Sequence, residues 1–224
     1  MKIKQPQNWP KTLEDAEIIQ QQLCSKVSQT DQLNTVKFVA GVDVGFSDND
    51  TISQAAVVVL SFPDLQLQDY AISRGQTTFP YVPGFLSFRE VPVVLNALTK
   101  LTITPDIILC DGQGIAHPKR FGLACHLGVL TDIPTIGVAK SRFIGTHEEL
   151  PSEKGSWKPL IDQGEIIGAV VRSRTNVKPI YVSIGHKISL ETAINYLWRC
   201  LTQYRLPETT RLADRLASNR GSIL

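Results

Sequence analysis

Three closely spaced apolar runs in the first part of the chain predict three β-strands. The first, VKFVAGVDVGF, covers residues 36–46, and the others cover residues 53–61 and 67–77. β-Branched residues are enriched in strands, and the turn sequence FPDLQ joins the second run to the third. Short connections between consecutive strands favour antiparallel neighbours, so the pattern predicts a three-stranded meander.

Apolar residues at helical spacing predict helices on both sides of this meander. A capping box that begins at Thr12 precedes a helix that runs to about residue 28. A second predicted helix covers residues 88–101. In the last part of the chain, Ser189 caps an amphipathic helix, and Pro207 begins a final one.

Two short apolar runs in the middle of the chain predict strands that are buried on both faces. They cover residues 107–110 and 133–139, although the pattern of the first run alone is also compatible with a buried helix fragment. A predicted helix after Pro118 separates them, so together they form a β-α-β unit. Residues 165–174 and 179–184 then predict a hairpin.

The segment of residues 142–164 combines glycines and prolines with polar residues, which predicts an inserted flexible loop. The chain contains no internal repeat, low-complexity tract or linker. We therefore predict a single domain of residues 1–224 in the α/β class. Its mixed central sheet would join an antiparallel meander to parallel β-α units, with helices on the flanks.

Composition narrows the classes of protein to which the chain can belong. Apolar residues make up 42% and charged residues 20%, as in ordinary globular proteins. The longest apolar run, residues 55–60, is far shorter than the ~18 residues that span a membrane, and the first residues lack a secretory apolar region. Four widely separated cysteines indicate reduced core residues. We expect a cytoplasmic protein without a membrane partner.

The charge distribution is uneven although the net charge is only +2. Residues 172–224 hold nine Lys or Arg against three Asp or Glu. A basic region of this kind is compatible with binding to a phosphate backbone, and equally with a solvated helix face.

Two acidic residues stand where a structural protein would seldom place them. Asp43 lies within a predicted strand, where burial of an unpaired charge would cost several kcal/mol. Asp111 ends the strand of residues 107–110 and precedes Gly112 and Gly114. Open α/β sheets bind ligands at such positions, although a turn residue or helix cap explains Asp111 equally well.

The two acids would lie side by side if their strands are neighbours in the sheet. Carboxylates about 4–6 Å apart do not both stay ionised without a cation between them. Oxygen ligands without Cys or His select a hard ion such as Mg²⁺ or Mn²⁺. Such an ion suits phosphodiester hydrolysis.

Three further residues have a functional and a simpler interpretation. Tyr81 lies among prolines, so its ring would either project from a rigid loop as a wedge between bases or pack beneath that loop. Glu90 would either serve the acidic site or complement the dipole of the helix it begins. Asp214, between two arginines, would serve the site or form a surface ion pair.

Four motifs together resemble the endonuclease V family, whose members repair deaminated bases, chiefly deoxyinosine. They are VDVGF at residues 42–46, PYVPGFLSFRE at 80–90, DGQGIAHPKRFGLACHLGV at 111–129 and IPTIGVAKS at 133–141. The resemblance extends over about residues 13–220, and the predicted strand order resembles the ribonuclease H-like fold. The second and third motifs are long and specific.

The resemblance implies a role for each matching position. Asp43, Glu90 and Asp111 would be the metal-binding carboxylates, and Lys140 would be the cation near the scissile phosphate. Tyr81 would fill the space left by a flipped nucleotide. The base pocket would be lined by Gly84, Leu86, Gly112, His117, Gly122 and Leu123. Asp214 occupies a position where family members carry His or Asp, and it would support the metal or the attacking water.

The resemblance also implies an activity. The protein would be a Mg²⁺-dependent endonuclease, with Mn²⁺ as a substitute, that acts as a monomer on DNA containing deaminated bases. It would hydrolyse the second phosphodiester bond 3′ to the lesion and leave a 3′-hydroxyl and a 5′-phosphate. Backbone N–H groups of the glycine loop would donate to the hypoxanthine carbonyl and would leave the adenine amine unpaired.

Three alternatives stay open at this point. The substrate could be inosine-containing single-stranded RNA instead of DNA. A lesion-binding module without activity would require a broken set of acids, and all three acids are present. A phosphotransferase of the actin-like type would require a phosphate-binding glycine loop after the first strand, and the sequence has none there.

Overall fold

One eight-stranded sheet organises the protein, with strand order β3-β2-β1-β4-β5-β8-β7-β6. The computed structural model describes residues 9–220. The strands are β1 (Phe38–Ser47), β2 (Ile52–Ser61), β3 (Leu67–Gln76), β4 (Ile107–Cys110), β5 (Thr135–Ala139), β6 (Trp157–Asp162), β7 (Glu165–Val171) and β8 (Ile180–His186). The helices are α1 (Leu13–Cys24), α2 (Leu86–Leu98), α3 (Leu123–Thr131), α4 (Leu190–Cys200) and α5 (Glu208–Ala217).

The sheet is mixed, as the hydrophobic pattern predicts. Strands β1, β2 and β3 form the antiparallel meander. Strand β4 pairs with β1 and with β5 in parallel, and β8 adds to β5 in the antiparallel sense. The prediction of an α/β fold with a meander joined to parallel β-α units is confirmed.

Strand β6 lies inside the segment that we predict as a flexible loop, so the prediction for residues 142–164 is wrong in part. Residues Trp157–Asp162 pair antiparallel with β7 at the edge of the sheet. An edge strand needs only one buried face and tolerates proline, here Pro159, so its sequence lacks a continuous apolar run. Gln163 and Gly164, with φ of 52° and 82°, form the turn that closes this hairpin.

Helix boundaries differ from the predictions by a few residues. Helix α1 ends at Cys24 instead of continuing to residue 28. Helix α2 begins at Leu86 and ends at Leu98, which is two to three residues earlier than predicted at each end. Fraying helix termini carry little sequence signal, so such shifts are expected.

Two glycines of β1 let α5 pack directly on the sheet. A Cβ atom at Gly41 would lie 2.2 Å from the carbonyl carbon of Thr209, and one at Gly45 would lie 2.5 Å from the carbonyl oxygen of Ala217. Alternate residues of a strand face the same side, so Asp43 faces α5 as well. This packing brings α5, which carries Asp214, next to Asp43.

We expect Gly41→Ala to lower the free energy of unfolding by about 1–3 kcal/mol, because the added methyl group would overlap the α5 backbone. Urea titration of the variant and the parent protein measures this difference. Gly75→Ala is the matched control, since a Cβ at Gly75 would meet no atom within 4 Å. Similar stability of the two variants would contradict the close packing of α5.

Candidate active site

Three carboxylates from distant parts of the chain meet beside the end of β4. Asp43 belongs to β1, Asp111 follows β4 directly, and Asp214 belongs to α5. One ligand oxygen from each of the three lies within 4.8 Å of the other two. Strand pairing explains the first contact, because Val42 pairs with Cys110 and the N–H of Asp111 donates to the Val42 carbonyl at 3.2 Å. We call Asp43, Asp111 and Asp214 the acidic group.

A lysine and an arginine supply positive charge to the acidic group. Lys140, immediately after β5, places its Nζ 2.5 Å from Oδ2 of Asp111 and 3.7 Å from Oδ1 of Asp214. Arg220, beyond α5, places Nη2 2.7 Å from Oδ2 of Asp214. Lys140 therefore lies beside the acids, and its role as the cation near the scissile phosphate stays a prediction.

Burial and mutual repulsion destabilise the ionised carboxylates of the acidic group. Burial, followed by the charge of Asp111 and that of Asp214, raises the pKa of Asp43 to about 7, although Lys140 opposes the shift. Burial also raises the pKa of Asp111 against the influence of Lys140. Burial alone would lower the pKa of Lys140, but the neighbouring aspartates outweigh it and hold that pKa above its ordinary value. The group therefore favours an additional cation.

Glu90 lies near the acidic group but is not a member of it. It is a buried residue of α2, and burial, followed by the charges of Asp43 and Asp111, raises its pKa well above the ordinary value. Helix α2 has no acidic residue in its first turn, so the interpretation of Glu90 as a complement to the helix dipole is wrong. Its assignment as a metal ligand stays a prediction.

A cavity of about 360 Å³ adjoins the acidic group. Asp111 and Lys140 belong to its wall, so the cavity and the carboxylates form one continuous site. All six residues predicted for the base pocket line this cavity: Gly84, Leu86, Gly112, His117, Gly122 and Leu123. Its volume lies in the range of small-ligand sites.

Tyr81 and His117 occupy opposite environments around the cavity. The Tyr81 side chain is 66% exposed, which does not fit the alternative in which its ring packs beneath the loop. His117 is buried, and its Nδ1 accepts a hydrogen bond from the N–H of Lys119 at 3.2 Å. Burial lowers the pKa of His117 to about 4, so its ring is neutral at pH 7.

Sequence reasoning missed several cavity residues. Phe143 lies in the segment predicted as a loop, and its ring centroid is 5.5 Å from that of His117. Gln113 lines the cavity and donates from Nε2 to the carbonyl of Ser141 at 3.0 Å. The only local signal for Phe143 is that it is an aromatic residue three positions after Lys140. Gln113 lies within the motif that follows Asp111, but nothing in the motif indicates a role for its side chain.

Arg205 was also missed, because its contacts join segments far apart in sequence. Its guanidinium donates to the carbonyls of Lys140 at 2.5 Å, Pro179 at 2.7 Å and Lys178 at 2.9 Å. These bonds fix the backbone of Lys140 as the chain leaves β5. A lone arginine in a loop gives no sequence indication of such a role.

The donor set of the acidic group fits a hard divalent cation. It consists of carboxylate oxygens alone, the ligands that Mg²⁺ and Mn²⁺ prefer.

All four cysteines are free, and three of them are buried, as predicted for reduced core residues. Across the described part of the chain, residues 9–220, no helix combines the length and apolar character needed to cross a membrane.

Comparisons with known proteins agree with this geometry. The family model for endonuclease V matches residues 21–215. Endonuclease V of Rippkaea orientalis is 65% identical over 224 residues, which cover 100% of this chain and 98% of the relative.

Solved structures of similar proteins have the same fold. The endonuclease V structure from Streptomyces avermitilis has a TM-score of 0.89 and 42% identity, with 97% of this chain and 96% of that one covered. Endonuclease V of Ciona intestinalis, solved with a 24-mer DNA that contains an inosine followed by a ribo-adenosine, has a TM-score of 0.80 and 31% identity, with 92% and 95% covered.

The mixed sheet and the acidic group beside β4 define a nuclease with a ribonuclease H-like fold. More specifically, the chain belongs to the endonuclease V family. The resemblance inferred from the four motifs is thereby confirmed.

Proposed function

We propose that this protein is a single-domain, Mg²⁺-dependent DNA-repair endonuclease that extrudes a deaminated base, chiefly deoxyinosine. It hydrolyses the second phosphodiester bond 3′ to the lesion and leaves a 3′-hydroxyl and a 5′-phosphate. The observation that carries the proposal is the continuity of the site, since Asp111 and Lys140 belong both to the cavity wall and to the charged cluster. One molecule can therefore hold a base and act on the nearby backbone.

The acidic group supplies the ligands for the proposed ion. Asp43 and Asp111 would hold it, Asp214 would support them from α5, and Glu90 would contribute a further carboxylate from α2. When bound there, Mg²⁺, or Mn²⁺ in its place, would supply water activation and neutralisation of charge on a phosphoryl oxygen. Lys140 leaves its ion pair with Asp111 and approaches the scissile phosphate, where its ammonium group stabilises negative charge.

The cavity suits an extruded base, and weak pairing favours a deaminated base as the one extruded. Extrusion of a base costs a few kcal/mol, and least where its pairing is already weak. Tyr81, exposed at the rim, fills the space that the base leaves in the duplex. Neutral His117 and the glycines on the wall admit the flat ring of the base.

A gel assay tests the proposed function. A labelled duplex with one inosine and a matched duplex with adenine are incubated with Mg²⁺ and with EDTA. We expect a single nick, one nucleotide beyond the lesion, only with inosine and Mg²⁺. Equal cleavage of both duplexes, or full activity in EDTA, would contradict the proposal.

The same assay includes an RNA arm. The DNA bound by the Ciona intestinalis relative carries a ribo-adenosine after the inosine. Matched DNA and RNA strands, and a strand with one ribonucleotide after inosine, therefore compare the two substrate classes directly. We propose DNA as the substrate, a monomer as the active form and the cytoplasm as its location. Faster cleavage of the all-RNA strand would assign the protein to inosine-containing RNA.

Tyr81→Ala should weaken binding to inosine-containing DNA about tenfold while binding to undamaged DNA changes little, because loss of one base-stacking ring costs about 1–3 kcal/mol. Fluorescence anisotropy with Ca²⁺ in place of Mg²⁺ measures both affinities. Tyr70→Ala is the control, since Tyr70 is also exposed, at 44%, but belongs to β3. Equal losses on damaged and undamaged DNA would show that Tyr81 is not a wedge.

A further inference from the structure

A serine in the wall of the cavity has a buried histidine directly behind it. Ser87 is the second residue of α2, is buried, and lines the cavity. Its hydroxyl oxygen lies 2.9 Å from Nδ1 of His126 in α3. His126 has 0% exposure. Ser87 thus connects the cavity to a polar group that solvent does not reach.

The environment of His126 keeps its ring neutral and rigid. Its ring centroid lies 4.9 Å from that of Phe88, 5.3 Å from that of Phe121 and 5.8 Å from that of Trp9. Burial lowers the pKa of His126 to about 3. The neutral ring carries one proton, on either Nδ1 or Nε2.

The unpaired nitrogen of His126 decides where that proton lies. Nε2 is buried and has no hydrogen-bond partner among residues 9–220. A proton on Nε2 would be a buried N–H donor without an acceptor, and such orphaned donors are rare in native proteins. A proton on Nδ1 makes His126 the donor and the Ser87 oxygen the acceptor. The O–H of Ser87 is then available to donate toward the cavity.

We propose that Ser87 donates a hydrogen bond to the 6-oxo oxygen of the extruded base, and that His126 is the positioning residue that orients this hydroxyl. The inference rests on the proposed function, since it assigns a base to the cavity. Hypoxanthine carries a carbonyl at position 6, which accepts from a fixed donor. Adenine carries an amino group there, which is itself a donor, so the O–H of Ser87 and the amino group would face each other without an acceptor between them. A serine fixed in this way selects the deaminated base.

Single-turnover cleavage of three duplexes tests the contact. They contain inosine, purine riboside (which lacks the 6-oxo group) or 7-deazainosine (which lacks N7). We expect Ser87→Ala to slow cleavage of the inosine and 7-deazainosine duplexes about tenfold, the effect of one lost hydrogen bond, and to leave the purine riboside duplex unchanged. Ser53→Ala is the matched control, because Ser53 is equally buried and its hydroxyl donates to the Gly75 carbonyl at 3.3 Å, away from the site.

Two further variants test the positioning role of His126. His126→Asn retains an N–H donor near Nδ1 and should keep most of the preference for inosine over purine riboside. His126→Phe has a similar shape without a donor and should reduce that preference severalfold. A merely structural role would lower all rates together and leave the preference intact.

Several results would overturn the inference. Equal slowing of all three substrates by Ser87→Ala would show that Ser87 only shapes the wall. If Ser87→Ala slowed cleavage of the inosine and purine riboside duplexes but not of the 7-deazainosine duplex, the hydrogen bond from Ser87 would go to N7 and not to the 6-oxo oxygen. An unchanged preference in His126→Phe would remove the positioning role. Failure of the proposed function is a separate result, because the unmodified protein would then leave the inosine duplex intact.

Discussion

Asp43→Asn should lower the rate of nicking of an inosine-containing duplex by more than about 100-fold. Replacement of a group that merely supports a metal ligand already costs about 10–100-fold, and loss of a ligand costs more. Asparagine keeps the size of the side chain but loses the charge with which Asp43 would bind a divalent ion in the proposed site. Single-turnover rates at saturating enzyme measure the effect on the chemical step.

The control for this loss is an acid outside the site. Glu148 is exposed, and its Oε2 lies 2.6 Å from Nζ of Lys158. The Glu148→Gln variant should nick the inosine duplex at the rate of the parent protein. Asp43→Asn should still bind the inosine duplex in Ca²⁺ with an affinity close to that of the parent. Nicking by Asp43→Asn at the parental rate would remove Asp43 from the proposed metal site.

The same substitution should stabilise the metal-free protein. The pKa of Asp43 is about 7 in the folded state against an ordinary value of 3.8, so the folded protein binds a proton that the unfolded chain releases. Stability of the parent therefore falls as pH rises from about 4 to 7 and stays reduced above 7. Asparagine removes this penalty, and the gain at pH 8 should be on the order of 2–4 kcal/mol.

The pH dependence distinguishes this effect from a general change in packing. Urea titrations in EDTA should give the full gain for Asp43→Asn at pH 8 and almost none at pH 4. Asp69→Asn is the control of opposite sign. Asp69 accepts hydrogen bonds from the N–H groups of Thr102 and Ile103, which hold its pKa below the ordinary value despite burial, so this variant should be less stable at pH 8. A loss of stability in Asp43→Asn at pH 8 would contradict the proposed electrostatic strain.

The central part of the sheet could be predicted because its sequence signals are local. An unbroken apolar run such as residues 107–110 indicates a strand buried on both faces, and the structure has a strand there. An acid in or directly after such a strand, as at Asp43 and Asp111, is conspicuous because burial of a charge is costly. The motifs around these acids then indicated the family.

The edge of the sheet could not be predicted in the same way. Strand β6 lies at the edge of the sheet, so the side chains on its exposed face can be polar. The sequence of Trp157–Asp162 therefore resembles that of a loop. The place of Phe143 in the cavity wall could not be predicted for a related reason. Its segment has no regular pattern that fixes its position. Only the packing of the described residues shows where these segments lie.

The sequence by itself determined the central strands, the α/β class, the family and the two candidate strand acids Asp43 and Asp111, because each follows from patterns within a few neighbouring residues. The tertiary structure showed that Asp214, which the resemblance had indicated, lies within 4.8 Å of this pair, and that Glu90 lies outside the three-acid group. The physical reason is the close packing of α5 on the glycines of β1, a contact between segments more than 150 residues apart, about which local spacing carries no information.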